Sequence, residues 1–189
     1  MRPVSPEARR VRALSFERHR SVWAERDRSW ALWLNRAAAR PWLVTLLAAV
    51  SRLGDGAIWY TLMAMLPGFG GPQGAPTAWR MFAVGLASLA IYKLLKHRIA
   101  RPRPYVGCPG IRVCARSLDE FSFPSGHVMH AVAFSLLLSA AYPMWAWLAW
   151  SFTALVALSR VVLGLHYPSD VAIGAAIGLV AGELGRHLL

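Results

Sequence analysis

Carboxylates and cysteines are scarce in this chain of 189 residues, where nine Asp and Glu stand against 21 Lys and Arg and there are two Cys. Cys108 and Cys114 are too few for a multiply cross-linked scaffold. A zinc site needs further ligands at a suitable spacing, which the neighbourhood lacks, so no metal is expected. A close pair of this kind either forms one disulfide in an extracytoplasmic loop or stays as two free thiols, and both readings stay open. An early apolar run is also missing. The first begins near Pro41, too far from Met1 for the core of a cleavable signal. An Arg-rich transit peptide is disfavoured by Glu7, Glu17, Glu25 and Asp27.

Charged residues make up only 16% of the chain, whereas 56% is hydrophobic, with nine Trp. That balance points to a helical membrane protein. A formal charge of +12 would suggest nucleic acid in a soluble protein. Its placement argues otherwise, because about half of the Lys and Arg lie in residues 1–40 and most of the rest lie in or beside three short clusters. A basic flank before apolar sequence follows the positive-inside rule and favours anionic lipid. The expected partner is therefore the lipid bilayer, with no nucleic acid. Residues 22–40 carry Trp23, Trp30, Trp33 and Leu34 among charges and read as an interfacial helix. The division expected is a basic cytoplasmic or interfacial segment, 1–40, and a membrane-embedded domain, 41–189.

Four apolar spans stand out, at roughly 79–95, 128–142, 144–163 and 171–184. Gly174, Gly178 and Gly182 recur at a spacing that allows close helix packing in lipid. Residues 41–66 are divided by Ser51-Arg52-Leu53-Gly54-Asp55-Gly56. They form either one helix with a polar centre or two spans turning at Gly54-Asp55-Gly56. The turn signal and the cost of charge at mid-membrane favour two. The fold expected is an all-α polytopic bundle of about six transmembrane helices, with five as the alternative. Six put the three clusters on the face opposite a cytoplasmic N-terminus, hence outside; five put them on the N-terminal side.

The clusters carry the chemistry. Lys96 to Pro104, Pro124-Ser125-Gly126-His127, and Ser159-Arg160 with His166 and Asp170 lie at span ends that share one face. Lys96, Arg103 and Arg160 can grip a phosphate dianion, the guanidinium groups bidentately. Lys93, Arg98 and Arg101 read as ordinary snorkelling cations. Ser125 and Gly126 open an apolar helix whose N-terminal N–H groups suit an anion, and His127 sits where it can protonate a leaving oxygen. Pro168 breaks any continuous helix from His166 to Asp170, so a turn leading into a helix at about Ser169 can fold Asp170 onto the imidazole. A carboxylate there would leave the other ring nitrogen nucleophilic. A salt bridge from Asp170 to Arg160 is the plainer alternative.

The spacing Lys-x6-Arg-Pro, then Pro-Ser-Gly-His, then Ser-Arg-x5-His-x3-Asp resembles the signature of the superfamily of type-2 phosphatidate phosphatases, bacterial acid phosphatases and vanadium haloperoxidases. It covers roughly residues 79–184 without departure at a motif position. The resemblance implies His166 as a nucleophile forming phosphohistidine, Asp170 orienting it, and His127 as acid and then base. It also implies Lys96, Arg103, Ser125, Gly126 and Arg160 around the phosphoryl oxygens, and no cofactor. The activity it implies is metal-independent hydrolysis of a lipid phosphate such as phosphatidate, phosphatidylglycerophosphate, an isoprenyl pyrophosphate or a lipid A. A phosphotransferase with the same intermediate, a haloperoxidase and an inert lipid-phosphate translocator are the alternatives. A bacterial cell membrane, with the site on its outer face, is the expected location.

Overall fold

The computed structural model describes residues 22–117 and 119–189. The expectations for residues 1–21 lie outside the described residues. The described chain is helical: α1 (22–35), α2 (Pro41–Arg52), α3 (Ile58–Phe69), α4 (Gly74–Ile99), the single turn α5 (Pro104–Gly107), α6 (Gly126–Ala141), α7 (Ala146–Val162) and α8 (Pro168–Leu188). Proline sets several starts, because its fixed φ suits the first helical position and its missing N–H costs nothing there. Pro41 opens α2 and Pro168 opens α8. In the first turn of α8, Asp170 accepts the Tyr167 N–H at 2.9 Å and closes the N-terminus.

α6 is the axis of the bundle and packs on α4, α7 and α8. Val128, Met129, Ala131, Val132, Ala133, Phe134, Leu137 and Leu138 are all buried. Its 16 residues span about 24 Å, less than the hydrocarbon thickness of about 30 Å. An end of such a helix lies below the membrane surface. α8 packs close along α6 because its facing positions have no side chain. A Cβ on Gly174 would lie 2.6 Å from the Ser125 carbonyl oxygen, and one on Gly178 would collide with the Met129 carbonyl. The small-residue spacing is therefore a packing seam.

Large apolar side chains cover the outside: Trp79, Phe82 and Leu86 on α4, Trp147, Leu155 and Leu158 on α7, and Ile173, Val180 and Leu184 on α8. Hydrocarbon is the solvent for such a surface, and three helical segments, Gly71–Gly107, Pro143–Val162 and Pro168–Leu188, are long and apolar enough to cross it. The chain is an integral membrane protein.

Residues 41–69 follow the single-run reading. Leu47 packs with Val162, Leu163 and Leu165 at one end of α7, Ser51 meets Arg160, and Gly54 lies against Val156. After a widened turn at Leu53–Ala57, α3 continues to the opposite end, where the Tyr142 hydroxyl donates to the Gly70 carbonyl at 2.8 Å. α2 and α3 have no packing seam between them, as a hairpin of two spans would. The turn signal at Gly54-Asp55-Gly56 is real, but it bends one run instead of reversing it. The mid-membrane charge that favoured a reversal is met by a partner, since Asp55 contacts His127. Among the described residues, the run α2–α3 extends from the end where Leu47 meets Leu165 to the end where Gly70 meets Tyr142.

Candidate active site

All three clusters converge at one end of the bundle. Lys96 lies in the last turn of α4, Arg103 follows that helix, Arg160 lies near the end of α7, and His166 sits in the link to α8. Together with Gly126 and His127 they line one cavity of about 260 Å³. Arg103, Arg160 and His166 are only 1%, 2% and 1% exposed. Arg103 is locked: Nη1 donates to the Leu165 carbonyl at 2.7 Å, and Nε donates to the Asp119 carbonyl at 3.0 Å. Arg160 Nη1 donates to Ser51 Oγ at 2.6 Å, while its Nε has no hydrogen-bond partner among the described residues.

One carboxylate bridges two of these cations. Asp119 takes Lys96 Nζ at 2.5 Å on one oxygen and Arg103 Nη2 at 2.5 Å on the other. Burial alone would raise its carboxyl, but the Lys96 and Arg103 cations hold it below the ordinary carboxylate range. Asp119 therefore sits on the cations as an anion would.

Ser125 precedes α6, and its N–H donates to the Asp170 carbonyl at 3.1 Å. Its side chain is buried and forms no helix cap; Oγ has no hydrogen-bond partner among the described residues. Gly126 lies against Tyr92, where a Cβ would come within 3.3 Å of the ring. His127 presents Nε2 to Asp55. His130, one turn on, bonds the Gly126 and Gly85 carbonyls and serves the packing of α6 on α4.

His166 Nδ1 and Asp170 Oδ2 are 3.7 Å apart, beyond a hydrogen bond, and Nδ1 has no hydrogen-bond partner among the described residues. Burial, followed by Arg160, Arg103 and Lys96, pushes the His166 imidazole well below its ordinary pKa. It is therefore neutral at neutral pH and keeps a lone pair. The predicted alternative pairing of Asp170 with Arg160 does not form. Asp170 instead accepts Arg101 Nη1 at 2.7 Å, and Arg101 Nη2 meets Asp27 of α1 at 2.6 Å. Arg101 also lies 3.9 Å over the Tyr167 ring. Arg101 is thus a clamp between α1 and α8, not the snorkelling cation its sequence position suggests. Asp27 completes the clamp by accepting the Ser169 N–H at 3.0 Å.

Five contributors were not identified from sequence: Ser51, Asp55, Asp119, and Arg101 with Asp27. Gly54-Asp55-Gly56 did carry a signal, since an intramembrane carboxylate needs a partner. Ser51 and Asp119 carry no local pattern. Cys108 and Cys114 are free thiols; Cys108 is buried 3.4 Å from the Tyr167 hydroxyl.

Asp119→Ala leaves Lys96 and Arg103 facing each other uncompensated and should lower unfolding stability in detergent by about 1.5–3 kcal/mol. The loss should be full at neutral pH and fade as pH falls through the lowered pKa of the Asp119 carboxyl. Vanadate should raise the melting temperature of the variant more than that of the parent chain. Equal vanadate shifts would contradict the shared site.

The pattern of the PAP2 superfamily matches residues 77–188. The decaprenylphosphoryl-5-phosphoribose phosphatase of Mycobacterium tuberculosis is 32% identical over 146 residues, covering 77% of this chain and 80% of that protein. The PAP2-type phosphatidylglycerolphosphate phosphatase of Bacillus subtilis superposes with a TM-score of 0.69 at 26% identity, over 85% of this chain and 84% of that one. Aquifex aeolicus LpxE shares the fold, with a TM-score of 0.70 at 22% identity, over 84% of this chain and 93% of that one. The matched stretch holds each cluster that lines the cavity, and the chain belongs to the PAP2 superfamily.

Proposed function

We propose that this chain is a membrane lipid phosphatase that hydrolyses a phosphate ester through a phosphohistidine on His166. One observation carries the reading: the cavity is polar at one end and greasy at the other. Lys96, Arg103, Arg160 and His166 form the polar end, and Tyr60, Phe82, Leu86 and Leu89 line the rest. Those four apolar residues are themselves exposed on the membrane-facing surface of α3 and α4. A phosphorylated lipid can put its headgroup on the cations while its chains stay in hydrocarbon.

His166 Nδ1 faces Asp170, so Nε2 attacks phosphorus. The bond from phosphorus to the lipid oxygen breaks, and His127 protonates that oxygen. Water then gives a proton to His127 and attacks the phosphohistidine, which releases inorganic phosphate and restores the imidazole. Lys96, Arg103 and Arg160 hold the three outer oxygens and gain most when charge spreads onto them in the transition state. Ser125 Oγ and the N-terminus of α6 at Gly126 add donors. Phosphate binding displaces Asp119 from Lys96 and Arg103. The M. tuberculosis relative acts, by its name, on a decaprenyl-linked phosphate. That supports polyprenyl-linked phosphates as the first substrates to try, ahead of phosphatidate, phosphatidylglycerophosphate and lipid A.

The bacterial relatives support a cell-membrane location. The side of the site is read here from five passages between the two ends, through α2–α3, α4, α6, α7 and α8. Five passages put it on the face of α1, and that face carries Arg26, Arg28, Arg36, Arg40, Arg98, Arg112 and Arg116 against Arg80 and Arg186 at the other. The positive-inside rule then favours the cytoplasmic side, in place of the outward site that six crossings imply.

His166→Ala should reduce phosphate release from these lipids, assayed without added metal, by at least about a thousandfold; full activity in that variant would overturn the reading. An impermeant thiol reagent should modify Cys114 in broken cells and not in intact ones. Modification in intact cells would return the site to the outer face.

A further inference from the structure

The cavity has a second pairing of carboxylate and imidazole, built by a segment outside the matched stretch of 77–188. Asp55 Oδ1 meets His127 Nε2, and both line the cavity. Local geometry delivers this carboxylate. Gly56 has φ +131°, a conformation L side chains rarely adopt, and it breaks the helical run next to Asp55. Gly54 lets the bend lie against α7, where a Cβ would stand 3.1 Å from Val156 Cγ2. One turn earlier, on the same side of the run, Ser51 accepts from Arg160. The α2–α3 bend thus touches two groups of the site at once. Asp55 also shares the cavity with Lys96, Arg103 and Arg160, yet its hydrogen bond is to an imidazole.

We infer that Asp55 is a positioning residue for His127, holding Nε2–H and aiming Nδ1 at the oxygen that leaves phosphorus. This rests on the reading of His127 as the acid in the transfer proposed above. An imidazole has two nitrogens, and a carboxylate on one fixes the tautomer and the ring plane for the other. In the first step the Nδ1 proton passes to the lipid oxygen as its bond to phosphorus breaks. In the second, Nδ1 takes a proton from water. Nε2 keeps its proton throughout and donates it to Asp55, which is not consumed. The chain would then hold two dyads, one behind the nucleophile from α8 and one behind the acid from the α2–α3 bend.

The test uses the full chain in detergent and two soluble esters. Hexyl phosphate has a leaving oxygen that must be protonated, and p-nitrophenyl phosphate has one that departs without a proton. kcat/KM reports the step that breaks this bond. Asp55→Asn should lower kcat/KM about 30-fold for hexyl phosphate and less than about threefold for p-nitrophenyl phosphate, a share of the 10²–10⁴ that general acids contribute. Asp55→Glu keeps the carboxylate and should retain the hexyl rate within about fivefold. His127→Ala should show the same split between esters, only larger. If His127→Ala shows the split and Asp55→Asn loses equally on both esters, the assignment of Asp55 is overturned and the phosphatase reading stands. If Asp55→Asn does not fold, Asp55→Glu decides: a loss on hexyl phosphate beyond about tenfold with the aryl rate intact would overturn positioning by the carboxylate. Absence of a split in His127→Ala would overturn the acid role, and that of Asp55 with it.

Discussion

Three buried cations around one cavity are the constraint on which the rest of this structure depends. Lys96, Arg103 and Arg160 converge from two helices and a loop inside a greasy bundle. Such a cluster repels itself and loses its hydration, so each member needs hydrogen-bond acceptors and the group needs an anion. The fold meets the first demand with the Leu165 carbonyl, Ser51 and the Asp119 backbone. It meets the second with the Asp119 carboxylate. A phosphate offers the same cations the same kind of partner with more oxygens. On the proposed reading, the same cations that Asp119 neutralises would receive the phosphate of the substrate.

The short central helix sets the depth of that cluster. Because α6 is too short to cross the hydrocarbon, its N-terminus with Gly126 and His127 opens inside the bundle. Lys96, Arg160 and His166 come down to meet it from the ends of α4 and α7. α8 is drawn onto α6 by its glycine face, which brings the first turn and Asp170 behind His166. The result is a polar chamber below the surface with an apolar wall toward lipid, and the reaction it supports is one in which headgroup and tail part company.

Much of this was legible in sequence, for identifiable reasons. The spans at 79–95, 128–142, 144–163 and 171–184 appear as α4, α6, α7 and α8 because hydrocarbon burial writes itself as long apolar runs. The motif residues that line the cavity were legible because they stand at fixed spacings near the ends of apolar runs. Residues 41–69 were harder. A Gly-Asp-Gly bend and a Gly-Asp-Gly reversal look alike in one dimension, and the packing of Leu47 and Gly70 at opposite ends of the bundle separates them. Asp119 and Ser51 were invisible for the same reason, since their meaning lies in partners from other elements. Arg101 misled because snorkelling and ion pairing both place a cation after a helix end.

Direct observation of the covalent intermediate tests the central claim. The purified chain, mixed with a polyprenyl phosphate or phosphatidate and quenched into base during turnover, should carry one phosphoryl group on the imidazole of His166 by peptide mass spectrometry. The same chain hydrolysing the lipid with no phosphorylated residue, or with the group on any residue other than His166, would contradict the account.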